Sequence, residues 1–411
     1  MAANSGKNEK RGTGRLILAL ALFLAPVTLL WGSLIRGPKA VSATENRTLA
    51  QWPALTAESF LRGTFQEALE EAAGDQMIGS EPLRAAAKDA ESTAQSLLLR
   101  ALKGIRPEVG SGYAELTEGY YAYAGDAHRI VERPDEARLD AARLETLVSQ
   151  TGRIRGVKKY LYFIENSRSV DFDRMEDRDR YYQQTAAAFD ALPAESALDG
   201  AAAFRFESYE DYCRLFYQTD HHWNHRGSWR GYQEILELMG LSQGTEQPPE
   251  ELTLPVVFNG SYARQTRMLC ADEPFSVYAV SLPKHTETMN GKRGTYGHLA
   301  SYIRGKVPED NLRNHYAYCY GGDYGEIVYD FGDEGRGSLL MLVDSYSNPI
   351  NGLIASHFDT TYVIDPRYYE SWAGVPFDPE SYLADHPADA LLMMGDILFF
   401  QGADGGEGGA E

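Results

Sequence analysis

Four short apolar segments constrain the fold of this chain more than any other feature. They are KKYLYFIE at 158–165, SLLMLVD at 338–344, TTYVID at 360–365 and DALLMM at 389–394. Strands buried on both faces have such continuous patterns, whereas strands with one solvent face alternate. Segments with helical character lie between them, at 224–240 and 347–358. This alternation predicts an α/β fold of three layers, α/β/α, with a mostly parallel sheet.

The composition excludes one class of partner. The 411 residues carry a formal net charge of −20, and neutralising nucleic-acid phosphates requires a basic patch that this sequence lacks. The three cysteines are too few for a disulfide framework, and none lies in a Cys-x-x-Cys motif. Cys213 falls on a predicted strand, which suggests burial, and Cys270 and Cys319 are the candidate pair for one disulfide. We predict no cofactor and no metal.

The N-terminal segment predicts a membrane anchor. Residues 16–35 are uncharged and, at ~1.5 Å per residue, would span ~30 Å as a helix. Four basic residues precede them, which predicts a cytoplasmic N-terminus and an extracytoplasmic body: Lys7, Lys10, Arg11 and Arg15. The alternative is a cleaved signal peptide, with Val-Ser-Ala at 41–43 as the cleavage site.

The chain is expected to have four parts. Residues 1–40 hold the cytoplasmic stub and anchor, and residues 41–150 are rich in Ala and Glu with helical patterns such as TAESFLRGTFQEALEEAA at 56–73. Residues 151–400 contain the four predicted strands and form the expected catalytic domain. A Gly- and Tyr-rich, loop-rich insertion is expected at about 245–335. Residues 401–411 are predicted to be a disordered tail.

Two motifs follow predicted strands, where parallel sheets bind ligands. YCRLFYQ at 212–218 has a strand-like composition, and Asp220 and His222 come after it. In extended chain, residues two apart point to the same side, so Asp220 could orient His222 while His221 points away. Ser345 follows SLLMLVD, at the start of a predicted helix. The positive helix end favours developing negative charge there, with the Tyr346 and Ser347 amides as candidate oxyanion donors.

Each motif has a simpler interpretation. Asp220 could cap the helix that begins near Asn224 or the turn before it, and Ser345 could be an ordinary N-cap. His221 and His225 are four residues apart, which is also the spacing of two metal ligands on one helix face. No Glu follows the first histidine, so the zincin pattern is absent.

Several motifs, in order, resemble those of the DHHW family of extracytoplasmic proteins, which belongs with the alginate O-acetylation proteins in the SGNH-hydrolase-like superfamily. They are ENRTLAQWP at 45–53, TDHHW at 219–223 with the helical segment after it, NGSYAR at 259–264, DSYSNP at 344–349 and IDPRYY at 364–369. The resemblance covers residues 45–400 and implies an SGNH-hydrolase-like fold. Asn348 and Arg367, within the last two motifs, are further candidates for contacts with substrate or oxyanion.

The resemblance also implies a mechanism. Asp220 would orient, His222 would act as general base and Ser345 as nucleophile, with an acetyl-serine intermediate that passes to a polysaccharide hydroxyl. The acetyl donor would come from a membrane-bound acyltransferase of the MBOAT type, beside the anchor at 16–35. Two alternatives stay open: a carbohydrate or lipid esterase with the same three residues, and a non-enzymatic glycan-binding or assembly protein.

Overall fold

The computed structural model describes residues 28, 31–33, 35–39, 41–42, 47–56, 59, 64–77, 112–134, 151–175, 198–241, 247–268, 273–307 and 312–401. The chain divides into two compact units, residues 1–93 with 409–411 and residues 94–408. No helix within the described ranges is both long and apolar enough to cross a membrane. Most of the predicted anchor at 16–35, Cys270 and residues 402–411 lie outside the described residues, so the predictions made there remain predictions.

The first unit contains a small strand pair and one helix. Strands β1 (Val41–Ser42) and β2 (Arg47–Thr48) pair antiparallel, and helix α1 spans Thr64–Gln76. The Gln76 side chain accepts from Lys39 N at 2.8 Å and donates to Ala50 O at 2.9 Å. The helix at 64–76 agrees with the helical pattern predicted for this segment.

The first described strands of the second unit form a small antiparallel sheet, made of β3 (Tyr113–Thr117), β4 (Tyr120–Tyr123) and β5 (Asp126–Val131). The prediction that 41–150 is helical is therefore wrong for these residues. Gly119 (φ +80°) and Gly125 (φ +73°) sit in the two turns, a conformation that favours glycine. The tyrosine rings pack on Phe172, at 6.0 Å for Tyr113 and 5.1 Å for Tyr123. This tertiary packing and the two turns outweigh the helical character of the neighbouring sequence.

Ten further strands follow in the part of the chain that the structure describes: β6 (Lys158–Ile164), β7 (Gly200–Phe204), β8 (Glu251–Val257), β9 (Pro274–Tyr278), β10 (Thr286–Met289), β11 (Lys292–Gly294), β12 (Glu326–Asp330), β13 (Ser338–Val343), β14 (Thr360–Ile364) and β15 (Ala390–Gly395). β8 and β9 form a separate antiparallel pair. The others form one sheet in the order β11-β10-β12-β14-β13-β15-β6-β7. From β14 to β7 the neighbours are parallel, and β12, β10 and β11 extend the sheet antiparallel. The four strands predicted from apolar runs are confirmed as β6, β13, β14 and β15.

Helices cover both faces of this sheet. The helices described in this unit are, in chain order, α2 (Tyr209–Leu215), α3 (His225–Leu238), α4 (Ser261–Thr266), α5 (Leu299–Ile303), α6 (His315–Tyr320), α7 (Asn351–Ala355), α8 (Pro366–Ala373), α9 (Pro379–Asp385) and α10 (Ile397–Gln401). Of these, α4 packs on the small sheet of β3, β4 and β5, and α5 and α6 pack with β8 and β9. Tyr160 and Tyr162 of β6 join the core that includes α3, whereas Leu161 and Phe163 join the core that includes α9 and α10. Alternate side chains of one strand thus enter two cores, which confirms the predicted three-layer α/β architecture.

The segment before Asp220 differs from its prediction. YCRLFYQ was expected to be a strand, but residues Tyr209–Leu215 form α2, whose N-cap Ser208 accepts from Asp211 N. Its aromatic residues pack at helical spacing, and Tyr212 stacks on Phe216 at 4.5 Å. Capping and this spacing decide against the strand-like composition. Cys213 therefore lies on a helix and is only half-buried, which corrects its predicted place in a buried strand.

The insertion at about 245–335 is also more regular than predicted. Its described residues supply the antiparallel pair β8–β9, three helices and the antiparallel strands β10, β11 and β12 of the main sheet. These strands are short, and β10 and β11 have no fully buried residue. Short, partly exposed strands of this kind lack the continuous apolar pattern on which the sequence prediction depended.

Candidate active site

Ser345 lies at the carboxyl end of β13, in the middle of the sheet. It is half-buried and opens a 3₁₀ turn, Ser345–Ser347, for which Asp344 is the N-cap. Oδ2 of Asp344 accepts from the backbone N of Asp396 at 2.9 Å, and Asp396 lies just beyond β15. The turn is thus tied to a neighbouring strand, and the predicted position of Ser345 at a strand–helix junction is confirmed.

Asp220, His222 and Ser345 form one hydrogen-bonded series. His222 Nδ1 lies 2.6 Å from Asp220 Oδ1, and His222 Nε2 lies 2.8 Å from Ser345 Oγ. Because an ionised carboxylate only accepts, Nδ1 carries the proton and Nε2 accepts from the serine hydroxyl. The predicted convergence of residues 123 positions apart is confirmed geometrically. Asp220 and His222 are buried, and Ser345 is the half-buried end of the series.

A tight turn, and not an extended strand, brings Asp220 and His222 together. Phe216 pairs with Trp223 as an antiparallel bridge, and Tyr217 N donates to His222 O at 3.2 Å. Within the turn, His222 N donates to Asp220 Oδ1 at 3.0 Å, which is the local bond that Asp makes two residues on. The contact was predicted correctly, but from the wrong backbone conformation.

The α3 helix packs closely on this turn. Its N-cap is Asn224, whose Oδ1 accepts from Arg226 N and Gly227 N. Asp220 therefore does not cap the helix, but its bond with His222 N does cap the turn before it. A Cβ on Gly227 would lie 2.3 Å from Leu215 O, and one on Gly231 would lie 2.5 Å from the Trp223 ring. The two glycines of HRGSWRG therefore let the helix approach the bridge that holds His222.

The insertion surrounds the carboxylate of Asp220. Ser261 N donates to Asp220 Oδ2 at 2.6 Å, and Gly260 lies so close that a Cβ there would be 2.2 Å from Asp220 Cβ. Burial would raise the pKa of Asp220, but the charge and hydrogen bond of His222, with the charge of buried Arg264, hold that pKa well below its usual range. Asp220 is therefore ionised at neutral pH and able to stabilise a positive charge on His222.

The alternative metal site of His221 and His225 has no support in the described residues. His221 Nδ1 lies 2.7 Å from Ser261 Oγ, whereas His225 Nε2 lies 3.2 Å from Glu251. A three-residue group with ligand atoms within 4.8 Å does occur there, but it consists of Asp220, His221 and His222. His221 also does not point away as predicted, since its ring centroid lies 3.8 Å from that of His222.

Two predicted oxyanion donors are already hydrogen-bonded. Tyr346 N donates to Asp344 Oδ1 at 3.0 Å, and Ser347 N donates to Asp344 O at 3.1 Å. The prediction that these amides are free is wrong, because the side chain and carbonyl of the N-cap Asp344 use them. Tyr346 instead holds the turn of His222: its hydroxyl donates to His221 O at 2.6 Å, and its carbonyl accepts from Trp223 Nε1 at 2.9 Å.

Asn348 and Arg367 are linked beside Ser345. Asn348 Nδ2 donates to Asp323 Oδ1 at 3.0 Å, and the other oxygen of Asp323 lies 3.8 Å from Arg367. Arg367 also pairs with Asp365, at 2.8 Å. Leu342 of β13 is in register with Ile364 of β14, so Ser345 and Arg367 follow neighbouring strands at the same edge. Whether either residue contacts a substrate remains a prediction.

Tyr316 is a residue of the site that sequence reasoning missed. Its ring stacks on His222, with centroids 3.8 Å apart and planes at 12°, and its hydroxyl donates to Ser345 O at 2.9 Å. Tyr316 lies in HYAYCY, one of several tyrosine-rich stretches, and nothing local distinguishes it. Ser261 and Arg264 were part of a motif resemblance, but only the structure shows that they lie at Asp220.

Comparison with solved structures shows a shared fold. A DHHW family protein from Eubacterium siraeum has a TM-score of 0.51 and 15% identity, over 71% of this chain and 95% of that one. PatB1 of Bacillus cereus has a TM-score of 0.49 and 18% identity, over 67% and 95%. The O-acetyltransferase domain of Pseudomonas putida AlgJ has a TM-score of 0.34 and 10% identity, over 71% and 92%. The first likeness confirms, for the fold, the family resemblance predicted from the sequence.

No family model matches the sequence, and no curated protein matches it either.

Proposed function

We propose that this protein is an O-acetyltransferase that acts through an acetyl-Ser345 intermediate on an SGNH-hydrolase-like domain. The observation that carries the proposal is the series Asp220–His222–Ser345, with bonds of 2.6 and 2.8 Å. A nucleophile, a base and an orienting carboxylate within hydrogen-bond reach are the requirements for acyl transfer by a serine. The acetyl group and the polysaccharide acceptor are supported by the DHHW-type motifs and the shared fold.

The first half of the reaction acylates Ser345. Ser345 Oγ attacks the carbonyl carbon of an acetyl ester while His222 Nε2 takes the hydroxyl proton. Asp220 stabilises the imidazolium through Nδ1. The tetrahedral intermediate then expels the alcohol of the donor, which takes the proton from His222, and acetyl-Ser345 remains.

The second half transfers the acetyl group. A sugar hydroxyl gives its proton to His222 and attacks the acetyl carbonyl, and Ser345 Oγ leaves and recovers that proton. Water can replace the sugar, so transfer requires a well-held acceptor or the exclusion of solvent. The same three residues in an open site would give an esterase.

The test is acetyl release from a chromogenic acetyl ester by the purified full-length chain, with and without oligosaccharide acceptors. We expect acceptor-dependent formation of an acetylated sugar, detected by mass spectrometry, and none with Ser345→Ala. Hydrolysis that is indifferent to every acceptor would identify an esterase. No reaction, together with acceptor binding, would identify a glycan-binding or assembly protein.

We also propose that residues 16–35 anchor the protein with its body outside the cytoplasm, where a membrane-bound acyltransferase of the MBOAT type would supply the acetyl group. The basic residues before the apolar segment support this orientation. Protease added to intact cells should digest the body, and protection until lysis would contradict the proposed orientation.

A further inference from the structure

Tyr316 is a residue of the insertion that contacts two members of the proposed catalytic series. It lies on α6 and is 2% exposed. Its ring stacks on the imidazole of His222 at 3.8 Å, and its hydroxyl reaches the backbone carbonyl of Ser345 at 2.9 Å. A single side chain thus fixes the distance between the base and the nucleophile, although it belongs to neither of their chain segments.

The ring of Tyr316 has a physical effect on the histidine. His222 must become positively charged while Ser345 attacks, and a cation within ~6 Å of an aromatic centroid is attracted to the ring face. Among the described residues, the other ionisable groups in contact with His222 are Asp220, the ring of His221 at 3.8 Å and the ring of Tyr346 at 5.0 Å. The ring of Tyr316 is more nearly parallel to the imidazole of His222 than the rings of His221 and Tyr346 are, with an angle of 12° between the planes.

The hydroxyl of Tyr316 acts on the serine. The carbonyl of Ser345 also accepts from Asn348 N at 3.3 Å, so two donors hold the peptide from which the Ser345 side chain extends. Tyr316 itself is held firmly, because Asn314 caps α6 and the ring of Tyr320 packs on that of Tyr316 at 5.2 Å.

We infer that Tyr316 is a positioning residue: its ring stabilises the protonated form of His222, and its hydroxyl holds the Ser345 backbone for attack. The inference rests on the proposed function, since it concerns the same serine and histidine. It gives the insertion a direct part in the reaction, in addition to its part in the sheet.

The experiment measures covalent labelling of Ser345 by a sulfonyl fluoride, followed by mass spectrometry from pH 5 to 9 on the full-length chain. In this reaction Ser345 Oγ bonds to sulfur, fluoride leaves and His222 takes the serine proton. Three variants are compared with the wild type: Tyr316→Leu, Tyr316→Phe and Tyr302→Leu. Tyr302 is the matched control, because it is a buried tyrosine of the insertion that contacts His315 and not His222.

For Tyr316→Leu we expect labelling at least about tenfold slower. We also expect the acid limb of the profile of labelling rate against pH to move to lower pH by about half a unit or more, because the protonated histidine loses its aromatic partner. Tyr316→Phe should slow labelling several-fold and leave the acid limb in place. Tyr302→Leu should lower the melting temperature without changing either quantity.

Wild-type rates in Tyr316→Phe, or an unmoved acid limb in a folded Tyr316→Leu, would overturn the inference. If Tyr316→Leu does not fold, Tyr316→Phe still tests the inference. A wild-type labelling rate in Tyr316→Phe would show that the Tyr316 hydroxyl does not position Ser345. Absence of labelling on Ser345 in the wild type would overturn the proposed function itself, and the inference with it.

Discussion

The two parts of the eight-stranded sheet serve the candidate site in different ways. The parallel part, from β14 to β7, places Ser345 at a strand end, as parallel sheets generally place reactive groups. The antiparallel part belongs to the insertion, and residues of that insertion lie against Asp220 and His222. Ser261 donates to Asp220, and Tyr316 stacks on His222.

The two parts of the sheet therefore differ in function. The parallel part places the nucleophile Ser345, and the insertion positions the base and its carboxylate. The nucleophile follows from the topology of the sheet, whereas the base and its carboxylate lie in a turn that long-range contacts enclose. We therefore expect changes at the three reacting residues to abolish chemistry in a folded protein. Changes in the insertion should act through geometry, stability or pH dependence.

The largest effect is expected at Ser345 and His222. Ser345→Ala and His222→Ala should each lower the rate of acetyl transfer by about 10⁴-fold or more, and the double variant should lose little beyond either alone, because the residues act as a unit. The measurement is the rate with chromogenic ester and acceptor, with circular dichroism to show that each variant folds. Additive losses in the double variant would contradict a shared mechanism.

Asp220→Asn should have a smaller effect. The amide can still contact His222, but it removes the negative charge that stabilises the imidazolium, so we expect a rate about 10- to 100-fold above that of Ser345→Ala. Asp220 is also the contact between the turn and Ser261 N, so unfolding should be followed in parallel. A rate equal to wild type would show that Asp220 has only a structural part.

The parallel part of the fold was predictable from sequence because burial on both faces leaves a continuous apolar pattern. The runs at 158–165, 338–344, 360–365 and 389–394 each correspond to an observed strand. Ser345 was predictable for the same reason, since its place follows from where β13 ends. The spacing of Asp220 and His222 also predicts their contact, but a tight turn makes that contact and not an extended strand.

The insertion was not predictable in the same way. Its strands are short and partly exposed, so their pattern carries little signal, and its contacts with the site join residues far apart in sequence. Tyr316 reaches Ser345 across 29 positions, and Ser261 reaches Asp220 across 41. Helix capping also explains why the predicted oxyanion donors are not free. Asp344 is the N-cap and accepts hydrogen bonds from the amides of both Tyr346 and Ser347.

Gly260→Ala tests how closely the insertion encloses Asp220. The new methyl group would lie 2.2 Å from Asp220 Cβ and 2.5 Å from Thr219 O, so the α4 start must move away from the turn. We expect a loss of about 1–3 kcal/mol in the free energy of unfolding and a clear fall in Ser345 labelling. The control is Gly322→Ala, also in the insertion, where a Cβ meets nothing within 4 Å. Equal effects of the two substitutions would show that the close approach is unimportant.

The smallest expected effect is a pH dependence that arises at Glu273, just before β9. Glu273 is 4% exposed and accepts from Gln218 N at 2.6 Å and from the Thr219 hydroxyl. Burial raises the pKa of Glu273 to about 7, against the opposing effect of these hydrogen bonds and with a contribution from the charge of Asp220. Glu273 is therefore hydrogen-bonded to the two residues before Asp220 through a carboxyl group with a pKa of about 7.

Because the pKa of Glu273 is higher in the folded chain than in the unfolded chain, the folded state binds more protons between about pH 4.5 and pH 7. Its contribution to stability is fully present below that window and is lost as the pH rises through about 7, with an upper size of about 3 kcal/mol. Urea unfolding at pH 5, 6, 7 and 8 should show this decline in the wild type. Glu273→Gln should remove that part of the slope, whereas Glu237→Gln, an exposed change of equal charge on α3, should leave it. If the free energy of unfolding of Glu273→Gln still falls with pH as in the wild type, the titrating group is another residue. In that case Glu273 does not make the turn of Asp220 sensitive to pH.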